Sequence, residues 1–150
     1  MAANSEGCIF AIDLTRFSVL CTFSKAHGKS SVSSLARLSV PEVDGDTLFA
    51  SSAFDGQVRV WSFERRGLVA FVQAHEMGVN KVLELGSGEL VTAGNDRTLK
   101  LFEPDLFSED VDARLPERVA LNSSCIVSEL LEVDPERRML LAGSFQSGEL

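Results

Sequence analysis

The sequence predicts an all-β fold assembled from repeated four-stranded antiparallel sheets, and three observations carry that expectation. A turn-and-strand motif recurs along the 150 residues. Each interval between copies holds about four short runs with strand-like periodicity. No stretch shows the 3.6-residue periodicity of a convincing amphipathic helix.

The motif is clearest at Phe54-Asp55-Gly56-Gln57-Val58-Arg59-Val60-Trp61, where a turn-forming Asp-Gly precedes alternating apolar residues. Asn95 to Phe102 repeats it 41 residues later, setting Asp96 under Asp55 and Phe102 under Trp61. Upstream, Glu6 to Asp13 sets Gly7 under Gly56 and Ile12 under Trp61; downstream, Ala142 to Leu150 sets Gly148 under Gly56. The segments entering these turns, Thr47 to Ser52, Glu89 to Gly94 and Met139 to Ser144, are short, apolar and end in small residues. Each therefore reads as a strand running into a tight turn. After the turn, Ile9 and Ala11, Val58 and Val60, or Leu99 and Leu101 share one face, while Ile12, Trp61 or Phe102 falls on the other. Such strands should be packed on both sides. Further strands are expected over Ser18 to Phe23, Ser31 to Leu38, Gly67 to Gln73, Val79 to Leu85 and Cys125 to Val133.

Composition bounds the function. With 45% hydrophobic residues, the chain can bury the core of about one globular domain. A net charge of -8 and a pI near 4.7 argue against general nucleic-acid binding, which relies on clustered Lys and Arg. No apolar run approaches the ~18 residues of a membrane span, and the N-terminal residues lack an export pattern. A cytoplasmic or nuclear location is the expectation. Cys8, Cys21 and Cys125 form no CxxC pair and suit a reducing compartment as small buried side chains.

A repeat of about 40 to 45 residues with four strands is the signature of a β-propeller blade. At His27, Ser51, Asp55 and Trp61, and again at His75, Thr92, Asp96 and Phe102, the sequence resembles the WD40-repeat family. The resemblance implies a propeller segment of about three four-stranded blades, incomplete as a ring and needing further blades or another chain to close. The approximate repeats are 1–23 (the end of a blade), 24–66, 67–104 and 105–150, the last degenerate and unfinished, all within one region over 1–150. Leu150 falls inside an expected strand, so the chain is read as part of a longer protein. The pattern departs from the family at Ala26 and Ala74, where Gly usually precedes the His, at Ser62 after Trp61, and at Phe102 in place of Trp. In the last copy Ser147 replaces the Asp.

Asp tolerates strained turns and its carboxylate accepts backbone N–H groups, so Asp55 and Asp96 suit the hairpins. The resemblance implies that His27, Ser51, Asp55 and Trp61, and His75, Thr92 and Asp96, form hydrogen-bonded pins in the scaffold, with Phe102 in the Trp position. It also implies that partners meet the face where these turns emerge. Phe54 and Asn95, each just before a turn Asp, Gln146 in the degenerate copy, and Lys29, Glu76 and Met77 in the loops after the His residues should lie there.

Enzymatic readings find little support. Gly28-Lys29-Ser30 imitates the end of a phosphate-binding loop, but the Gly required five positions before Gly28 is Phe23. No nucleophile elbow, metal-ligand spacing or cofactor motif occurs. The acidic run 103–117 reads as a solvated insertion that lengthens the last interval. The expected function is a non-enzymatic platform for protein partners, without cofactor, nucleic acid or membrane. The alternatives are a segment of a propeller enzyme or small-ligand binder whose site lies outside these residues, and a ubiquitin-ligase substrate adaptor. Family members of the adaptor kind often carry Arg three residues after the repeat-ending Trp; here that position is Glu64, and Arg65 follows it.

Overall fold

Short runs with apolar side chains on alternating or both faces favour extended chain, and the Asp-centred turns between them fold each run back on its neighbour. The computed structural model describes residues 2–3, 7–39, 45–103 and 117–144. In order, the strands are β1 (Ala2–Ala3), β2 (Ile9–Asp13), β3 (Ser18–Phe23), β4 (Val32–Arg37), β5 (Leu48–Ala53), β6 (Gln57–Ser62), β7 (Gly67–Gln73), β8 (Val79–Glu84), β9 (Leu90–Gly94), β10 (Thr98–Phe102), β11 (Glu117–Asn122), β12 (Val127–Asp134) and β13 (Met139–Ser144). There is no helix among the described residues, and hence none long and apolar enough to cross a membrane.

All strand pairs are antiparallel. Two four-stranded sheets, β4-β5-β6-β7 and β8-β9-β10-β11, lie between a three-stranded sheet β1-β2-β3 and a two-stranded sheet β12-β13. The described residues thus form two complete sheets flanked by two partial ones, which together make up the expected incomplete segment of about three blades. Strand β11 was not among the expected strands. Its sequence, ERVALN, mixes charge with apolar residues and adjoins the acidic run, which masks the alternation. Residues 104–116 of that run, like Gln146 and Ser147, lie outside the described residues.

The sheets stack face to face through three apolar layers. Ile9, Phe23 and Ala26 meet Phe49 and Trp61 across the first interface. Val58, Val60 and Ala50 meet Val79, Val82, Leu90 and Phe102 across the second. Leu85, Val91 and Ala93 meet Val127 and Leu130 across the third. Each of the larger side chains in these layers, Val, Leu, Ile or Phe, contributes roughly 1.5–3 kcal/mol when fully buried. Val58 and Val60 face one neighbouring sheet while Trp61 faces the other, which meets the expectation of two-sided packing. Strand β2 differs: Ile9 and Ala11 are buried, but Ile12 is 38% exposed, because no described sheet covers that side and a bulge between Ala11 and Ile12 shifts the register.

Strands β4, β8 and β12 lie side by side along the inner edge of the stack and share a second, polar set of contacts. Ser33 Oγ donates to the Val79 carbonyl at 2.5 Å, and Asn80 Nδ2 donates to the Val127 carbonyl at 3.0 Å. At the far ends of these strands, the Glu84 carboxylate accepts the Ser39 N–H at 2.6 and 2.8 Å, and Glu132 accepts the Gly86 N–H at 2.8 Å. Lys81 and Glu129 pair at 2.5 Å between the same strands. Strand β8 therefore clasps β4 at both ends, and β12 clasps β8 in the same way. A charged acceptor for a backbone N–H at a partly exposed site contributes about 1 kcal/mol. We expect Glu84→Ala and Glu132→Ala each to lower the unfolding free energy measured in urea by that amount, additively, because the two clasps share no atoms.

Candidate functional site

The turn between β5 and β6 is a three-residue loop, closed by the Gly56 N–H donating to the Ala53 carbonyl at 3.2 Å. Gly56 is left-handed, with φ +79°. The turn between β9 and β10 repeats this, with Arg97 at φ 62° donating to the Gly94 carbonyl. Both turns put their Asp beside a buried His from the preceding inter-sheet loop. His27 Nδ1 lies 3.0 Å from Asp55 Oδ2, His27 Nε2 lies 2.7 Å from Ser51 Oγ, and Trp61 Nε1 donates to the same Ser51 oxygen at 2.8 Å. Nδ1 thus donates to the carboxylate, Nε2 shares a hydrogen bond with the Ser51 hydroxyl, and each polar side-chain group of this network has a partner.

The second network keeps that order with one member changed. His75 Nδ1 lies 3.0 Å from both Asp96 oxygens and 2.9 Å from Thr98 Oγ1, while Nε2 lies 2.7 Å from Thr92 Oγ1. Thr98 also donates its hydroxyl to Asp96 Oδ1 at 2.7 Å. The Phe102 ring has no donor, so Thr98 adds the contact on the Asp side that the indole supplies on the Ser side in the first network. Among the described residues no buried side-chain nitrogen or oxygen is left without a partner, and no three His, Cys, Asp or Glu side chains gather as a metal site.

Burial disfavours charge on Asp55, but the His27 hydrogen bond, the Gln57 N–H and the electrostatic pull of His27 and Arg59 outweigh it. Its carboxyl therefore titrates below the ordinary Asp value. Asp96 is lowered too, burial again being outweighed, here by the Thr98 hydroxyl and N–H and by His75. A folded-state pKa below the unfolded one means stability that is fully present above the unfolded value and lost as pH falls through the folded value. Urea titrations should thus show a plateau above about pH 5 and a decline below about pH 4, where the unfolded Asp begins to bind its proton. In Asp55→Asn and Asp96→Asn variants that part of the decline should shrink.

Of the residues expected on the partner-facing end, Phe54 is 55% exposed and Met77 is 56% exposed. Lys29 and Glu76 are exposed and Asn95 is half-buried. The Phe54 N–H donates to the Ser31 carbonyl at 3.1 Å and the Asn95 N–H to the Gly78 carbonyl at 2.8 Å, which docks each turn on the loop leading into an inner strand. Gly78 brings two of these residues together: a β-carbon there would lie 2.6 Å from Phe54 Cδ1 and 3.2 Å from Asn95 Nδ2. Phe54 and Asn95, from adjacent sheets, therefore flank one bare stretch of backbone with Met77 next to it. Sequence reasoning did not single out Gly78. Its position, three residues after a motif His and directly before an inner strand, was the available signal.

These features define an antiparallel propeller segment in which each repeat supplies the outer strand of one sheet and three strands of the next. Residues 17–62, from the turn before β3 to the end of β6, match the family model described as WD domain, G-beta repeat. The chain is 43% identical over 58 residues to the protein named Probable coatomer subunit beta' of Schizosaccharomyces pombe, a match covering 37% of this chain and 7% of the relative. The crystal structure of the WD40 β-propeller domain of Doa1 matches with a TM-score of 0.72 at 20% identity, over 95% of this chain and 42% of that one. The chain has the fold of a WD40 β-propeller segment and spans less than half of the solved propeller and a small part of the curated relative.

Proposed function

We propose that the chain is a non-enzymatic platform for protein–protein interaction, acting in the cytoplasm or nucleus, whose contact surface comprises Phe54, Asn95, Lys29, Glu76 and Met77. The observation that carries this reading is the pair of large apolar side chains, Phe54 and Met77, left exposed around Gly78 at the end where the turns of two adjacent sheets emerge. An exposed aromatic beside a half-buried amide is the composition of an interface hot spot. The WD40 fold and the relative's name as a subunit of coatomer are in keeping with a role in assemblies. His27, Asp55, His75 and Asp96 have a scaffold role in this reading, since each is bonded inward.

The test is capture of partners by the tagged chain, beside Phe54→Ala and Asn95→Ala. A specific partner retained by the parent should fall by roughly tenfold or more with Phe54→Ala, the near-ultraviolet circular dichroism being unchanged. Equal retention by parent and both variants would place the contact surface elsewhere.

A further inference from the structure

The end of the molecule that presents Phe54 and Met77 differs in charge from the rest. Lys25, Lys29 and Arg97 stand exposed on its loops, and none of the three pairs with a carboxylate among the described residues. Arg59 adds a fourth cation close by, its guanidinium bonded to the Ala26 carbonyl and to Gln57 Oε1 at 2.9 Å rather than to an acid. The two aspartates of this end face inward: Asp55 takes His27 and the Gln57 N–H, and Asp96 takes His75 and Thr98. Among the described residues Glu76 is the exposed acid on these loops, and its own N–H turns toward Asp96. A chain of net charge -8 thus carries a cationic rim around an exposed Phe and Met.

We infer that this surface binds a short acidic peptide segment bearing a large apolar side chain, the apolar group resting on Phe54, Gly78 and Met77 and the carboxylates facing Lys25, Lys29 and Arg97. The inference rests on the platform reading and names the chemistry of its partner. Rim charges of this kind set the rate and selectivity of encounter, while the desolvated apolar contact holds the complex. A nucleic acid fits less well. Four cations are few for a phosphate backbone, the net charge repels it, and Phe54 and Met77 offer no hydrogen bonds to base edges.

Fluorescence anisotropy with the full chain tests this. Three labelled ten-residue peptides share a central Leu-Phe pair flanked by Asp and Glu, by Asn and Gln, or by Lys, and a thymidine decamer serves as a fourth probe. The acidic peptide should bind at least about tenfold tighter than the neutral one, and weaken as ionic strength rises toward physiological values. Lys29→Glu and Arg97→Glu should each weaken it by about threefold, and Phe54→Ala by about tenfold. Arg137→Glu, which makes the same change in net charge on the turn between β12 and β13, should leave it unaltered. Tighter binding of the decamer than of the acidic peptide, or an equal loss with Arg137→Glu, would overturn the inference. Preference for the neutral or basic peptide, abolished by Phe54→Ala, would overturn it while leaving the platform reading intact. If a natively folded chain binds no probe, the inference fails, and the capture experiment decides the platform reading separately.

Discussion

Trp61→Ala is expected to destabilise the fold by about 4 kcal/mol, whereas Trp61→Phe should cost only about 1. The indole is 8% exposed and fills the first inter-sheet layer with Phe23 and Phe49. Its ring lies edge-on to Phe23 at 5.6 Å and stacked over Phe49 at 6.5 Å, and the two Phe rings meet edge-on at 5.2 Å. Truncation to Ala removes one ring of a three-ring cluster and leaves a cavity that two sheets must close around. Replacement by Phe keeps most of the contact and removes one donor from Ser51, which still bonds His27 at 2.7 Å. The molecule already contains this second arrangement, because Phe102 occupies the equivalent place while Thr92 and His75 remain bonded. Urea unfolding of the two variants checks the prediction. Equal losses would mean that the hydrogen bond, not ring packing, dominates at this position.

The comparison of Trp61 with Phe102 also explains what was legible from residues alone. The strands could be read because a two-residue alternation and a small-residue approach to an Asp turn are local properties. The His, Ser or Thr, and Asp sets could be read because they recur at matching positions, and the atoms they bring together lie within 3.2 Å. The long-range polar contacts were missed for a physical reason: a Glu at a strand end looks solvated unless the backbone N–H it will meet is known. Glu84 and Glu132 each stand five residues after an aligned Val, Val79 and Val127, so the repeat itself held the signal. The equivalent residue in β4 is Arg37, which cannot accept an N–H, so the clasp has no counterpart there. The proposed interaction surface was legible only as single residues. Its contiguity depends on Gly78, and its charge depends on which carboxylates the scaffold turns inward.

Gly56→Ala is expected to cost about 4 kcal/mol, while Arg97→Gly, at the matching position of the next sheet, should change stability by less than about 1. Both residues are left-handed, so backbone strain alone does not separate them. The difference lies in what presses on them. A β-carbon at Gly56 would stand 2.5 Å from the His75 carbonyl oxygen, 2.9 Å from that of Met77 and 2.5 Å from Gln73 Nε2. The first two are backbone atoms of the loop that enters β8. That loop is also bound to Gly56 itself, whose carbonyl accepts the N–H groups of Ala74 at 3.0 Å and His75 at 3.1 Å. Moving the loop away therefore breaks these bonds and disturbs the His75 network, adding unsatisfied buried groups to the steric cost. Gly7 is held the same way, its carbonyl accepting the His27 N–H at 3.2 Å and its α-carbon facing two loop carbonyls. Arg97 accepts from a single residue, Ser123, whose N–H at 2.8 Å and hydroxyl at 3.0 Å both donate to its carbonyl, and it keeps its side chain in solvent. Because the loop under strain carries Met77, Gly56→Ala should also weaken the proposed partner contact beyond what the lost stability explains. Comparing partner capture by Gly56→Ala and by Glu84→Ala, both well below their melting temperatures, separates the two effects: only the former should lose the partner.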